Sequence, residues 1–160
     1  MRKTPSYLGL RPASSKAIAS ARGSSHKRDT NCEMLLRRAL HRRGLRFRVA
    51  VRYLPGRPDI VFPRAKVAVF CDGDFWHGRN LEARIARLAS GHNAPYWVAK
   101  IQTNVARDIR NNLSLQEKGW TVLRLWETDI VASPDDAAAH VEMVVHEALG
   151  AYESAGSGVV

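Results

Sequence analysis

Residues 66 to 77 read Lys66-Val67-Ala68-Val69-Phe70-Cys71-Asp72-Gly73-Asp74-Phe75-Trp76-His77. An apolar run ends abruptly in two acids, two aromatics and a histidine. A run that is apolar on both faces suits a strand covered on both sides, and so a central one. Acids at the end of such a strand can hold a divalent cation, a nearby histidine can move a proton, and exposed aromatic rings can stack on bases.

Working outward, Asp59 to Phe62 forms a second strand, led in by the turn Leu54-Pro55-Gly56-Arg57-Pro58 and parted from the first by Pro63-Arg64. Residues 45 to 53 alternate, with Leu45, Phe47, Val49, Val51 and Tyr53 on one face and Arg46, Arg48 and Arg52 on the other. This pattern predicts a half-buried strand with a basic outer face. Before it, Thr30-Asn31-Cys32-Glu33 has the form of a capping box. Cys32, Leu35, Leu36, Ala39 and Leu40 then recur at helical spacing until Gly44. Cys32 falls on that apolar stripe and reads as core.

Downstream, residues 81 to 89 suit a short helix bounded by Gly91. Pro95 opens a long one with Trp97, Ile101, Val105 and Ile109 at spacings of four, closed by Gly119. Residues 120 to 126 read as a strand. Ser133-Pro134-Asp135-Asp136 places a cap, a proline and two acids where a helix begins, and Ala137, Val141, Val144, Val145 and Leu149 make its buried stripe. The order predicts an α/β domain, a mixed central sheet flanked by helices, over residues 29 to 149. Residues 1 to 28 read as a basic flexible arm and 150 to 160 as a flexible Gly/Ser tail.

The 160 residues suit one domain with a core of its own. Lys and Arg number 25 against 15 acids, a net charge of +10, and the excess is placed unevenly. Residues 1 to 28 hold seven cationic residues and no acid, and residues 37 to 57 hold eight arginines and no acid. Basic blocks flanking an acidic cluster favour a polyanion, bound through its phosphates. No apolar run approaches the roughly 20 residues that span a bilayer, so no membrane is expected. The arm has no apolar h-region of a secretory signal. Cys32 and Cys71, the only cysteines, form neither a disulfide framework nor a cysteine-rich zinc motif. These features point to a reduced, cytoplasmic, nucleoid-associated protein.

Helix, hairpin strand, Pro-Asp strand and central strand is the layout of the PD-(D/E)xK, restriction-endonuclease-like fold. Pro-Asp at 58–59 and the block from Val69 to His77 carry a closer likeness. So do Tyr96-Trp97-Val98-Ala99-Lys100-Ile101-Gln102-Thr103-Asn104-Val105-Ala106-Arg107-Asp108 and Gly119-Trp120-Thr121-Val122-Leu123-Arg124-Leu125-Trp126-Glu127. Together they resemble the very-short-patch-repair (Vsr) mismatch endonucleases over Arg28 to Glu127.

That resemblance implies a Mg2+-dependent endonuclease that nicks double-stranded DNA near a T:G mismatch. It implies Asp59 as metal ligand, with the main chain of Cys71 beside it, and His77 as general base or acid oriented by Asp108. Glu33 matches an acid that orders metal-bound water, though it serves equally as a helix cap. Asp72 takes part in metal-water binding or only in the turn. Phe75, Trp76 and Trp97 match aromatics that wedge between base pairs. Core packing is a rival reading for Trp97. Lys100 and Asn104 match positions near the mismatched bases, and Arg57 belongs to the same DNA-binding side. The family's structural zinc positions read Asp74, Arg79 and Thr128 here, so no zinc is expected. A monomer suffices for a cut in one strand. Two other readings stand beside this one: a restriction or defence nuclease of the same fold, and a non-catalytic DNA-binding module.

Overall fold

A computed structural model describes Gly9, Leu10, Ser15 and residues 28 to 156, the last five by backbone alone. The arm falls almost wholly outside the described residues. Helix α1 spans Asn31–Arg42. Its start is the expected box: the Thr30 hydroxyl accepts from the Glu33 N–H at 3.5 Å and donates to the Glu33 carboxylate at 3.0 Å. That carboxylate also accepts from the Asp29 N–H at 3.0 Å. Gly44, at φ 77°, ends the helix. Its N–H reaches the His41 carbonyl, and the Leu45 N–H reaches that of Leu40, the paired closure that a left-handed residue permits.

Three strands follow in the order β1 (Ile60–Phe62), β2 (Val67–Asp72) and β3 (Thr121–Trp126), with β2 central. β1 and β2 run antiparallel, and β2 and β3 parallel, in a register that sets Phe70 opposite Arg124 and Asp72 opposite Trp126. Between them lie α2 (Leu81–Ala89) and α3 (Ala94–Glu117). After β3 come α4 (Glu127–Ala132) and α5 (Pro134–Gly156). This is the mixed α/β architecture that the sequence predicts. Among the described residues no helix is long and apolar enough to cross a membrane.

Alternation splits the sheet between two cores. Val67 and Val69 point into the larger one with Leu36, Leu40, Ile130 and Val141 from the helices, and Cys71 packs against it. Ala68 and Phe70 point the other way, to Val51, Leu54, Val61 and Leu115 of α3. Asp72, two residues beyond Phe70, therefore shares the face that α3 covers.

Four expectations are corrected. Residues 45 to 53 form no strand; Arg48 alone bridges to Val61. Ala50 sits at φ 57°, which breaks the extended run and ends the alternation. Val49 and Tyr53 are exposed, while Val51 turns into the smaller core. The apolar stripe on α3 is not a column of fours. Spacing of four drifts about 40° per step on a helix of 3.6 residues per turn, so Ile101 is buried and Ile109 is 54% exposed. The inward column is Ile101, Asp108 and Leu115. The short α4 is an additional element that buries Ile130. Finally, α5 runs through Gly150 to Gly156, where a tail was expected. Its predicted start does form, with the Ser133 hydroxyl accepting from the Asp136 N–H at 3.4 Å.

The inward column makes a direct comparison of two leucine-sized positions. Leu115→Ala should lower unfolding free energy in urea by roughly 2–5 kcal/mol, and Ile109→Ala by less than about 0.5 kcal/mol. Equal losses would contradict the packing described.

Candidate active site

The site lies where the C-terminal ends of β2 and β3 meet the middle of α3. Asp59 precedes β1, behind a fully buried Pro58. Its N–H bonds to the Val69 carbonyl at 3.0 Å, which extends the β1–β2 ladder by one residue. Its carboxylate accepts the Cys71 N–H at 2.7 Å. Among the described residues Glu33, Asp72 and Asp108 each face a cation, whereas Asp59 forms no salt bridge. Burial, assisted by Glu33 and Asp72 nearby, outweighs the Cys71 hydrogen bond and the Arg37 charge and pushes the Asp59 carboxyl up to about 6.

His77 sits in the loop between β2 and α2. Its Nδ1 is 2.7 Å from Asp108 Oδ2 and 3.6 Å from Asp72 Oδ1. The short contact assigns Nδ1 as the protonated nitrogen and leaves Nε2 as the one that can take a proton. Burial works against the Asp108 carboxylate, but the His77 hydrogen bond and the Arg124 and Arg107 charges hold it below the usual range. Arg124, which the sequence reading passed over, approaches Asp72 through Nη1 at 2.9 and 2.7 Å, to both of its oxygens. Its Nε donates to Asn112 at 2.9 Å, and its guanidinium lies 4.1 Å over the Phe70 ring. An arginine in a strand gives no signal in sequence that it points into a charged cluster.

Gly78, at φ 75°, lets the His77 loop lie against α3. A Cβ there would come within 2.7 Å of the Val105 side chain. The loop is fastened at its other side by Arg79, which donates to Asp74 at 3.0 Å and Thr128 at 2.6 Å and pairs with Asp129 at 2.9 Å. Asp74 also accepts from the Thr128 N–H and hydroxyl. The three positions singled out in the sequence, Asp74, Arg79 and Thr128, are thus brought together, with a cation at their centre.

Phe75, Trp76, Trp97 and Tyr96 form a continuous set of ring contacts 4.8 to 6.5 Å apart. Trp76 is 42% exposed, and Trp97 is half-buried. Lys100 stands 5.5 Å over Trp76 and 5.9 Å over Trp97, and its ammonium donates to the Tyr96 hydroxyl at 3.1 Å. Asn104 donates to the Trp76 carbonyl at 3.2 Å, so it holds the loop bearing these rings. Arg57 is exposed on the turn before Asp59. Glu33 is buried against Arg37, at 2.9 Å, and is close enough to Asp59 for its charge to raise that carboxyl.

The residues fit the Mg2+ that the resemblance implies. Asp59 is a desolvated carboxylate that forms no salt bridge among the described residues, with Arg37 acting on it only through its charge. The Cys71 thiol, hydrogen-bonded to Cys32 and half-buried, is pushed up and stays protonated, which leaves the main chain there as an oxygen donor. No group of three His, Cys, Asp or Glu side chains converges among the described residues. Few protein ligands suit Mg2+, which keeps several waters and takes one or two carboxylates plus substrate phosphate.

The raised Asp59 carboxyl has a consequence for stability. An acid with a higher value folded than unfolded favours the fold while protonated, and that contribution is lost as pH rises from 3.8 through about 6. In chelator at pH 8, Asp59→Asn should therefore be more stable than the parent by on the order of 1–3 kcal/mol, with the difference vanishing near pH 4. Thermal or urea unfolding across that range measures it.

Residues 13–83 match the family described as DNA mismatch endonuclease Vsr. The chain is 38% identical over 127 residues to the type II nicking enzyme V.NmeDIP of Neisseria meningitidis serogroup C, covering 79% of this chain and 84% of that one. It is 35% identical over 126 residues to V.HpaIIP of Haemophilus parainfluenzae, another type II nicking enzyme, covering 79% and 88%. The DNA mismatch endonuclease Vsr of Escherichia coli K12 is 40% identical over 100 residues, 62% of each chain. With these relatives spanning most of both chains, and the pattern from Asp59 to Trp126 folded into one site, the chain belongs to the Vsr family of DNA endonucleases.

Proposed function

We propose that this protein hydrolyses one phosphodiester bond in one strand of duplex DNA next to a T:G mispair, with Mg2+ as cofactor and without zinc. The observation that carries the reading is the His77–Asp108 couple at 2.7 Å, with a half-buried Asp59 nearby that forms no salt bridge among the described residues. His77 Nε2 takes the proton from the attacking water, and Asp108 holds the ring and supports the charge that develops on it. Asp59 and the main chain of Cys71 would hold Mg2+, which supplies phosphate polarisation and water activation when bound. Asp72, with both oxygens on Arg124, stands outside that ligand set. Glu33 acts on Asp59 through its charge and caps α1.

Phe75, Trp76 and Trp97 meet the unstacked bases, a step that costs a few kcal/mol and least at a mispair. Lys100 and Arg57 add cationic contacts to bases and phosphates, and Asn104 steadies the loop. Arg79 fills the Asp74–Thr128 corner with positive charge, which disfavours zinc there. A single His77–Asp108 couple suits a monomer that cuts one strand. The type II nicking enzymes among the relatives support single-strand cutting, and they also support the second reading, a restriction or defence nicking enzyme of the same fold.

A cleavage panel decides between them. Duplexes carrying T:G, other mispairs or full pairing are incubated with and without Mg2+, and strand scission is followed on denaturing gels. The expected outcome is nicking that needs Mg2+ and is fastest at T:G. Asp59→Ala should abolish it, and His77→Ala should slow it about 10²- to 10⁴-fold. Cutting of paired DNA as fast as T:G would favour the restriction reading, and undiminished cutting by Asp59→Ala would refute the metal assignment.

A further inference from the structure

Two buried carboxylates face one imidazole nitrogen. His77 Nδ1 is 2.7 Å from Asp108 on α3 and 3.6 Å from Asp72 at the end of β2. Their side chains are 12% and 6% exposed, so neither is compensated by water. Nδ1 carries one proton and can donate it well to one acceptor only. With nothing else nearby, the choice between the two would be open, and the ring would swing with it.

Arg124 removes the ambiguity. Its Nη1 reaches both Asp72 oxygens, at 2.9 and 2.7 Å, while its Nη2 lies 3.7 Å from Asp108. Asp72 is thus engaged in a charge-assisted contact and Asp108 is left to the histidine. The arginine is itself fixed on three sides: by Asn112 at 2.9 Å, by the Phe70 ring at 4.1 Å, and by the β2–β3 register that sets it opposite Phe70 on the same face as Asp72. Arg107, half exposed at 3.3 Å from Asp108, is the remaining charge on that acid. It cannot do the same work, because it touches Asp108 and leaves Asp72 alone.

We propose that Arg124 is a positioning residue: it withholds Asp72 from His77, so that Asp108 alone sets the orientation of the imidazole. The proposal rests on His77 being the proton-transfer group of a nicking reaction. It makes Asp72 dispensable once Arg124 is gone, which a metal-ligand role would not allow; a plain structural ion pair would be relieved in the double variant too, but would leave the His77 nitrogen shifts of a folded Arg124→Leu where they are in the parent.

Three variants test it: Arg124→Leu, Asp72→Asn and the double variant, which leaves no unpaired buried charge and so keeps the fold if the single leucine variant does not. Nicking of a duplex substrate is read as kcat and KM, and the ring nitrogens of His77 are followed in metal-free protein by heteronuclear NMR. Arg124→Leu should lose roughly 10- to 100-fold in kcat, the scale of a misplaced catalytic group, with KM little changed. Its His77 nitrogen shifts should move. Asp72→Asn should stay within about threefold of the parent, and the double variant should recover both the rate and the parental shifts.

A double variant as impaired as Arg124→Leu, or a large loss from Asp72→Asn alone, would overturn the proposal. Should the parent itself fail to nick, the nicking reading fails, and the NMR comparison still decides whether Arg124 governs the ring.

Discussion

The site depends on α3 lying across one face of a three-stranded sheet with a single column turned inward. Ile101, Asp108 and Leu115 are seven residues apart, close to two full turns, so they stay in line along the helix. Leu115 anchors the column in the smaller core beneath Phe70 and Val61. Ile101, fully buried, secures it at the other end, close under Gly78. Between these apolar fixings the helix can carry a carboxylate to the sheet without freedom to swing. His77 meets that carboxylate because its loop can lie flat on the same helix, and Gly78 is what permits the close approach.

Burying acids this densely demands compensation, and its distribution separates the roles. Glu33 has Arg37, Asp72 has Arg124, and Asp108 has His77 with Arg107. Asp59 has an N–H and the more distant charge of Arg37, which burial outweighs, driving its carboxyl up to about 6. A carboxylate without an ion pair among the described residues is unusual in a chain of net charge +10, since cations are abundant. It is the arrangement expected of a position reserved for a metal ion. The desolvation that raises the Asp59 carboxyl, and so costs stability at neutral pH, is what would make a cation welcome under the proposed function.

Much of this was legible in one dimension. The apolar run from Val67 to Cys71 announced the central strand, since no polar face could have been left to water. Thr30 and Ser133 marked helix starts through local hydrogen bonds that need no partner elsewhere. The cluster from Asp72 to His77 was visible because strand ends concentrate such groups. The stretch from Leu45 to Tyr53 misled, because a period of two describes only residues that remain extended. One left-handed residue, Ala50, ended the strand and sent Val49 and Val51 to opposite sides. Ile109 misled for a geometric reason, the drift of a four-residue spacing around a helix.

Arg124 was silent for a deeper reason. In sequence it is one arginine among many in a basic chain, 54 residues from Phe70, its partner in the register. Its meaning comes from parallel pairing with β2, which sets it beside Phe70 and Asp72, and from α3, which supplies Asn112 and Asp108. Local patterning determined most of the order of helices and strands, because caps and periodicity act over a few neighbours, and the motifs from Asp59 to Glu127 named the reactive groups through their likeness to a known family. Which acid faces the histidine, which is tied to an arginine and which is left without an ion pair was decided only by the tertiary structure, because electrostatic partnership depends on distances of a few ångströms between segments far apart in the chain.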